Sequence, residues 1–287
     1  MKVLIIGGNR FFGRQLAAKW IADGANVTLL NRGNFDDGLG EAPERLRCDR
    51  TNATSLEHAV FDRQWDVIYD QVAYFAQEAR DACRIFKGKT DRYIVTSTIS
   101  VYNFGASIPE SMFNPHDYEF DQDVTEYGEA KRQVESVFFQ RPPFRVIAPR
   151  FPIVCGQDDY TGRLKFHVEH VARGERIYFP NLDARMSFIS SEQAAACLKF
   201  LATVDFEGPV NCTAPDATRM RDIIEWTETA VGKRAVLSAS EDTGEHSPYG
   251  VPQDWFASPR LLSSLGFRTE PLVKWLPPLL AEIAREI

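Results

Sequence analysis

Tyr127 and Lys131 carry the clearest chemical signal in this sequence, within the segment YGEAK. The surrounding pattern predicts a helix, on which residues i and i+4 face the same way, so the ammonium would lie near the phenol. That positive charge would lower the pKa of the phenol from its reference value of about 10. A tyrosine tuned in this way can exchange a proton with a substrate hydroxyl or carbonyl near neutral pH.

Thr98 lies upstream, in the segment TSTISVY that closes the predicted fifth strand. Ligands of open α/β sheets bind at the carboxyl ends of the strands. A hydroxyl there could donate a hydrogen bond to the substrate oxygen and hold it beside Tyr127. The alternative is that these Ser and Thr residues only complete a turn between strand and loop.

A glycine-rich loop, GGNRFFG, follows the first predicted strand at once and leads into a helix. Glycines let a ligand approach the backbone closely, and the N–H groups and dipole of the helix favour an anion, so the loop predicts a pyrophosphate site. Its two phenylalanines would anchor the helix against the sheet. The alternative is an ordinary strand-to-helix turn. The residues predicted to contact a dinucleotide here are Gly7, Asn9, Arg10, Phe11, Phe12 and Gly13.

The end of the second strand, at Asn31 and Arg32, bears on which dinucleotide is bound. An NAD site usually has Asp or Glu at this point to hold the ribose 2′-hydroxyl, and none is present. Arg32, together with Arg10, could instead pair with a 2′-phosphate. We therefore expect NADP, with NAD as the alternative if Arg32 is merely solvated.

The elements that position these residues alternate between strands and helices. Short apolar runs at 3–6, 27–30, 45–48, 67–69, 93–96 and 146–148 are typical of strands buried on both faces of a parallel sheet. Amphipathic segments at 13–22, 55–61, 77–86 and 128–139 predict helices between them. The alternation predicts an α/β fold with a Rossmann-type, doubly wound parallel sheet.

The regular alternation of strands and helices ends after residue 150. Helices are predicted at 164–172, 192–201 and 220–231, with a short strand at 210–212 and a proline-rich, loop-rich end. We expect residues 1–150 to form a dinucleotide-binding domain, with a return segment near 187–205. Residues 151–287 would form mainly a smaller C-terminal substrate-binding domain.

The composition and net charge of the chain limit which partners it is expected to bind. The chain has 287 residues, with 33 Lys+Arg and 40 Asp+Glu, which gives a formal net charge of −7. An acidic protein lacks the broad positive field that nucleic-acid binding needs, so no nucleic-acid partner is expected. No apolar stretch reaches the roughly 18 residues of a membrane span, so no membrane partner is expected. The 5 cysteines lack C-x-x-C spacing, which favours reduced thiols in a cytoplasmic protein.

Four segments together, GGNRFFG, TSTISVY, YGEAK and RFPIVCG, resemble the extended short-chain dehydrogenase/reductases. More narrowly, they resemble the NAD(P)-dependent epimerase/dehydratase family and its atypical branch. The resemblance implies that Thr98 polarises the substrate, that Tyr127 is the acid/base and that Lys131 binds the nicotinamide ribose. It also implies that Asp49 contacts adenine. Arg10 departs from the pattern, because the family usually has its middle glycine there.

The function implied is an NAD(P)-dependent oxidoreductase, epimerase or dehydratase that acts on a hydroxyl or carbonyl of a sugar-like substrate, most plausibly a nucleotide sugar. Hydride would pass between nicotinamide and carbon while Tyr127 moves the proton. Net reduction, epimerisation and dehydration all begin with this step. Two alternatives are a non-catalytic dinucleotide-sensing regulator and an RNA-binding member of the atypical branch. The proton-relay residues and the acidic charge count against them.

The remaining candidates concern the substrate side and assembly. Tyr160, Arg163 and Arg185 could contact the substrate, the arginines through a phosphate or carboxylate. His167 and His170 have the spacing of two metal ligands on a helix, but no third ligand follows. We therefore expect no metal, and a surface or substrate-side role for these histidines. The helices at 77–86 and 128–139 often pair two subunits in the family, so a homodimer is possible.

Overall fold

The computed structural model describes all residues 1–287, and its first half alternates strands and helices. The strands are β1 (Lys2–Ile6), β2 (Asn26–Asn31), β3 (Glu44–Arg47), β4 (Val67–Asp70), β5 (Arg92–Val95), β6 (Ser97–Thr98), β7 (Gly105–Ile108) and β8 (Arg145–Phe151). The helices are α1 (Phe11–Ala22), α2 (Ala53–Ala59), α3 (Ala76–Ile85) and α4 (Tyr127–Gln140). All predicted elements of this half are therefore present, with ends shifted by at most three residues.

The second half has shorter strands. These are β9 (Ile153–Cys155), β10 (Arg176–Tyr178), β11 (Arg185–Met186), β12 (Phe188–Ser190), β13 (Gly208–Asn211), β14 (Thr218–Arg219), β15 (Val236–Ser238), β16 (Glu245–His246) and β17 (Trp255–Ala257). The helices are α5 (Arg163–Arg173), α6 (Ser191–Leu201), α7 (Met220–Val231), α8 (Arg260–Ser264) and α9 (Leu272–Arg285). Short 3-10 turns lie at Ile99–Val101, Glu110–Met112 and Glu241–Thr243.

The central sheet has the strand order β13-β8-β5-β4-β1-β2-β3, and β6 pairs with β8. All of these pairs are parallel. Chain order reverses between β1 and β4, and ligands of open α/β sheets bind at such a switch point. The predicted doubly wound sheet is confirmed.

Helices cover both faces of this sheet, which explains why its inner strands β1, β2, β4 and β5 are mostly apolar and buried. Leu16 and Trp20 of α1 pack with Leu198 of α6 on one face. Ala82 of α3 and Phe138 of α4 lie in a second core on the other face. Strands buried in this way need apolar residues on both sides, whereas an exposed sheet would alternate.

A third core joins α5, α7 and α9 at the C-terminal end. The prediction of a loop-rich end was wrong here, because α9 continues through Pro277 and Pro278. Proline removes a helical hydrogen bond, so the pattern indicated a break. The helix forms because Leu276 and Leu280 are fully buried against the neighbouring helices, and such packing supplies most helix stability in proteins.

The outward face of α4 is covered by residues 114–124 of the same chain. The Tyr118 carbonyl accepts hydrogen bonds from Ser136 Oγ at 2.6 Å and Gln140 Nε2 at 2.8 Å.

Candidate active site

A single cavity of about 1130 Å³ opens at the carboxyl ends of the central strands. One ligand usually fills about 300–1,000 Å³, so the space is large enough for more than one. Nearly all predicted site residues line it: Gly7, Asn9, Arg10, Phe11, Phe12, Gly13, Asn31, Arg32, Asp49, Thr98, Tyr127, Lys131, Tyr160 and Arg163. Arg185 is the exception.

The glycine-rich loop between β1 and α1 has a shape that side chains would prevent. Gly8 has φ +72°, and a Cβ on it would lie 2.5 Å from Ile5 Cγ2. A Cβ on Gly13 would lie 2.9 Å from the Gly8 Cα atom. Helix α1 begins at Phe11 without a side-chain cap or an acid in its first turn. Its first N–H groups and positive dipole end can therefore serve an anion.

Several buried polar atoms around this loop have no partner in the protein. They are Gln71 Nε2, Thr96 Oγ1, and Nε and Nη1 of Arg50. All three residues line the cavity. A buried polar group without a partner costs about 1–3 kcal/mol, so these atoms indicate a ligand rich in hydrogen-bonding groups. A dinucleotide, with its phosphates, riboses and bases, fits this donor set.

Arg50 itself was missed by the sequence analysis. It donates from Nη2 to Asp70, which is fully buried and also accepts from the Tyr93 hydroxyl at 2.7 Å. The neighbouring Asp49 accepts from the Thr51 backbone N–H at 3.0 Å. Arg50 lies in the turn after β3 and Asp70 is the last residue of β4, so no local pattern could have indicated that they pair.

Lys131 is buried beneath the cavity. Its Nζ donates to the carbonyl oxygens of Ala73 at 2.7 Å and Thr96 at 3.0 Å. Burial lowers the pKa of Lys131 to about 8, although the nearby carboxylates of Asp70 and Glu135 act in the opposite direction. The amine is thus held by the loops that follow β4 and β5.

Tyr127 starts α4 and remains 49% exposed. Its desolvation raises the pKa of the phenol above the ordinary value, while the Thr98 hydroxyl and the Arg163 charge lower it in part. The predicted lowering by Lys131 was wrong, because that amine is directed to the two carbonyl groups. Thr98 and Tyr127 nevertheless lie close together, since a hydrogen bond between the Thr98 hydroxyl and the phenol lowers the pKa of Tyr127 in part.

The start of α4 is fixed by the residues on either side of Tyr127. Glu126 caps the helix by accepting from the N–H groups of Gly128 at 3.0 Å and Glu129 at 2.8 Å. A Cβ on Gly128 would lie 2.7 Å from the Ser100 carbonyl oxygen, so glycine allows the helix to approach the turn after Thr98. Glu126 is therefore the cap of this helix.

A buried ion pair fixes the rest of α4 and was also missed. Glu135 and Arg150 are both fully buried, and Arg150 Nε donates to Glu135 Oε1 at 3.0 Å. The Ser97 hydroxyl donates to the same carboxylate, and Arg150 Nη1 donates to the Tyr102 hydroxyl at 2.7 Å. Because Ser97 precedes Thr98, this network ties the helix to the strand that carries Thr98. Its only sequence signal is the i+4 spacing of Glu135 from Lys131.

The two arginines predicted at the dinucleotide differ in their surroundings. The Arg10 guanidinium lies between two aromatic rings, 4.4 Å from the Phe35 centroid and 3.9 Å from the Tyr160 centroid. Arg32 is exposed at the cavity wall.

The substrate side of the cavity is mostly apolar, lined by Met186, Pro248, Val251 and Trp255. Arg163 provides a positive charge at the first residue of α5, which has no acid in its first turn. A cation at a helix N-terminus suits a phosphate or carboxylate.

Arg185 lies outside this cavity. It pairs with Asp254 at 2.6 Å and packs over the Phe256 ring at 4.8 Å. Its guanidinium is therefore engaged on the exposed surface of the C-terminal part.

His167 and His170 are buried, so the expected surface role was wrong. His167 is bonded to the Arg163 carbonyl at 2.9 Å and to Ser247 Oγ at 2.7 Å. Burial lowers the pKa of His167 to about 3, which keeps the imidazole neutral. No group of three His, Cys, Asp or Glu residues is arranged to hold a metal ion.

Known proteins share the sequence pattern and the fold of this chain. The model of the NAD dependent epimerase/dehydratase family matches residues 3–212. The chain belongs to this family. Epimerase/dehydratase family members are NAD-dependent enzymes, and the chain is thus an enzyme of this class that uses a nicotinamide dinucleotide. No curated protein sequence matches it.

Solved structures show the same epimerase/dehydratase fold. UDP-glucose 4-epimerase from Thermus thermophilus, in complex with NAD, is 18% identical with a TM-score of 0.78, covering 99% of each chain. The Thermotoga maritima enzyme with UDP-glucose is 15% identical with a TM-score of 0.79, covering 100% of this chain and 99% of that one. UDP-glucuronic acid 4-epimerase from Bacillus cereus is 18% identical with a TM-score of 0.77 and full coverage of both chains. None of the helices of this family member is long and apolar enough to span a membrane.

Proposed function

We propose that this enzyme transfers hydride between a nicotinamide dinucleotide and a carbinol or carbonyl carbon of a nucleotide sugar. The observation that carries the proposal is the single cavity that contains the glycine-rich loop, Thr98, Tyr127, Lys131 and Arg163. Hydride transfer needs donor and acceptor carbons in contact, which a shared cavity provides.

The chain's own residues position the reacting groups. The bound dinucleotide supplies the hydride acceptor or donor. Thr98 donates a hydrogen bond to the substrate oxygen, and the Tyr127 hydroxyl takes or returns the proton on that oxygen. Lys131 holds the nicotinamide ribose from below, where the carbonyls of Ala73 and Thr96 already orient its amine.

The nucleotide part of the substrate is assigned to the apolar side of the cavity. Arg163 and the N-terminal end of α5 would hold the diphosphate, while Met186 and Trp255 would contact the apolar faces of base and sugar. The structurally similar proteins include enzymes that act on UDP-glucose and UDP-glucuronic acid, so UDP-sugars and inversion at C4 are the first substrates and reaction to test.

The form of the dinucleotide is proposed to be NADP. Arg32 follows β2 and lines the cavity, and its guanidinium would pair with a 2′-phosphate, while the nearby Asp49 carboxylate is the acid that would compete for it. NAD is the form bound in the similar structures, and it remains the alternative. Affinities of the unaltered protein and Arg32→Gln for both dinucleotides decide between them, because the variant should weaken only NADP binding.

We also propose that the chain divides functionally near residue 150, as its sequence indicates, and that it works in the cytoplasm. All five cysteines are unpaired. We propose a homodimer that pairs through α3 and α4, which the mass of the protein in solution tests.

The direct test is product formation from a panel of UDP-sugars in the presence of NAD⁺ or NADP⁺, followed by proton NMR. Tyr127→Phe should lower kcat by about 10²–10⁴-fold, the usual contribution of general acid–base catalysis. Tyr118→Phe is the matched control, because its hydroxyl binds Glu129 outside the cavity. Equal turnover by the protein and Tyr127→Phe contradicts the proposed role of the phenol. No turnover of any sugar contradicts the substrate class.

A further inference from the structure

Three loops meet around one arginine at the opening of the cavity. Arg10 comes from the glycine-rich loop, Phe35 from the loop after β2 and Tyr160 from the loop after β9. The edge of the Tyr160 ring also faces Phe11, with 6.3 Å between the centroids. All of these residues line the cavity. The contact therefore spans the cleft from the dinucleotide side to the substrate side.

The Arg10 guanidinium contacts two rings, with its Cζ atom 4.4 Å from the Phe35 centroid and 3.9 Å from the Tyr160 centroid. The rings accept no conventional hydrogen bond, so the N–H groups of this side chain can still donate to an anion. Arg10 also directly precedes α1, whose first N–H groups are assigned to the pyrophosphate. A guanidinium held in this way is oriented toward an anion before the anion arrives.

The base of the third loop is fixed, whereas its tip is accessible. Asp158 accepts from Gln15 Nε2 at 3.2 Å, and Arg14 Nη2 lies 3.7 Å from the same carboxylate. Two residues later, Tyr160 is 59% exposed, and across the opening Phe35 is 53% exposed. The Phe35 and Tyr160 rings both contact the Arg10 guanidinium and are largely exposed. They can therefore move apart without disrupting the hydrophobic core.

We propose that Arg10, Phe35 and Tyr160 form a clasp that closes over the bound dinucleotide and slows its release. The inference rests on the proposed function, because it takes the ligand of the glycine-rich loop to be a dinucleotide. It assigns Tyr160 to cofactor retention, whereas the sequence had suggested substrate binding. A retained cofactor suits a reaction that returns the hydride to the substrate, as epimerisation and dehydration do.

The clasp predicts a kinetic signature that simple phosphate binding lacks. A cation–π contact at an exposed site is worth about 0.5–1 kcal/mol, so Tyr160→Leu should raise the dissociation rate about two- to fivefold. Phe35→Leu should raise it less, and Arg10→Gln at least as much. The double variant Arg10→Gln/Tyr160→Leu should dissociate little faster than Arg10→Gln alone, because both changes remove the same contact. Phe61→Leu is the matched control, since Phe61 is 76% exposed and lies outside the cavity.

The experiment loads each protein with NADH or NADPH and follows dissociation by stopped-flow fluorescence during a chase with oxidised dinucleotide. The expected result is faster release of both reduced forms from the clasp variants, with unchanged release from Phe61→Leu. Unchanged release from Tyr160→Leu and Phe35→Leu overturns the clasp alone. An effect of Arg10→Gln on NADPH but not NADH, without an effect of Tyr160→Leu, also overturns it and makes Arg10 a 2′-phosphate ligand. If the unaltered protein binds neither form, the proposed function fails, and the clasp with it.

Discussion

The two ends of the active-site cavity are built by different means. The dinucleotide end has backbone shaped by glycines, a buried Arg50–Asp70 pair, and polar atoms that lack partners. The substrate end has apolar walls around Met186 and Trp255, with Arg163 as its cation. A ligand at the first end is thus specified by many fixed polar contacts. A ligand at the second end is specified mainly by shape, by one charge and by the buried Trp255 Nε1 donor, which has no partner in the protein. Such a site can accept different sugars of the same chemical class.

The two regions also differ in the ion pairs that hold their elements in place. The catalytic helix α4 is tied to the sheet by the buried Glu135–Arg150 pair, beneath the point where the two ends meet. Arg185 and Asp254 form a comparable pair on the surface of the substrate end. If burial determines how much an ion pair contributes to stability, removal of one partner should lower the free energy of unfolding much more for Glu135–Arg150 than for Arg185–Asp254.

Glu135→Gln should therefore give the largest change in stability. Leaving the Arg150 charge buried without its partner should lower the free energy of unfolding by about 3–5 kcal/mol. Asp254→Asn breaks an exposed pair and should lower it by about 0–1 kcal/mol. Denaturant unfolding measures both variants. Similar losses in the two would show that α4 is not held mainly by the buried pair.

Gly8→Ala tests whether the dinucleotide end depends on backbone shape. Left-handed strain and the 2.5 Å approach to Ile5 should displace the loop, weakening dinucleotide binding by about 100-fold, equivalent to about 2.7 kcal/mol. Gly24→Ala is the control, since Gly24 has a similar φ of +76° but nothing within 4 Å of an added Cβ. Both affinities are measured by fluorescence titration with NADPH. Equal effects would assign the loss to backbone strain alone.

Arg163→Gln tests the substrate end separately. Losing a charge-assisted contact should raise KM for a UDP-sugar about tenfold or more, while dinucleotide affinity stays unchanged. Arg185→Gln should leave both unchanged, because that side chain is engaged by Asp254. If Arg163→Gln weakens dinucleotide binding as strongly as UDP-sugar binding, the two ends of the cavity do not bind their ligands independently.

The pH dependence should show the smallest effect and should belong to the dinucleotide end. Burial lowers the pKa of Lys131 to about 8, so its charge is present below that pH and is lost as pH rises through it. Dinucleotide affinity should fall a few-fold above about pH 8. Asp70→Asn should move this fall to lower pH, because the Asp70 carboxylate raises the pKa of the amine. Lys131→Met should remove the inflection, and its persistence in that variant would assign it to another group.

Much of the dinucleotide end could be predicted from the sequence, because local rules govern it. A glycine-rich turn between strand and helix, and a Tyr and Lys four residues apart on a helix, each depend on neighbouring residues alone. The Arg50–Asp70 pair depends on how the turn after β3 reaches the end of β4 in the folded sheet, and the position of Tyr160 depends on how a distant loop returns to α1. The choice between Arg163 and Arg185 depends in the same way on tertiary placement.

Two errors have specific physical causes. The pKa of Tyr127 was predicted from helical spacing, but Lys131 is held by carbonyl groups that only the folded loops supply. Helix α9 was predicted as loop because proline opposes helix, yet burial of Leu276 and Leu280 outweighs the two prolines. In both cases tertiary contacts overruled a local preference.

The central claim is that hydride passes between dinucleotide and sugar inside this cavity with Tyr127 as the proton carrier. A single-turnover experiment tests it most directly: protein loaded with oxidised dinucleotide is mixed with a UDP-sugar, and the absorbance of reduced nicotinamide is followed. The account predicts a transient rise with the unaltered protein and Tyr118→Phe, slowed at least about 100-fold in Tyr127→Phe. A rise of equal rate in Tyr127→Phe, or no rise with any UDP-sugar despite bound dinucleotide, would contradict it.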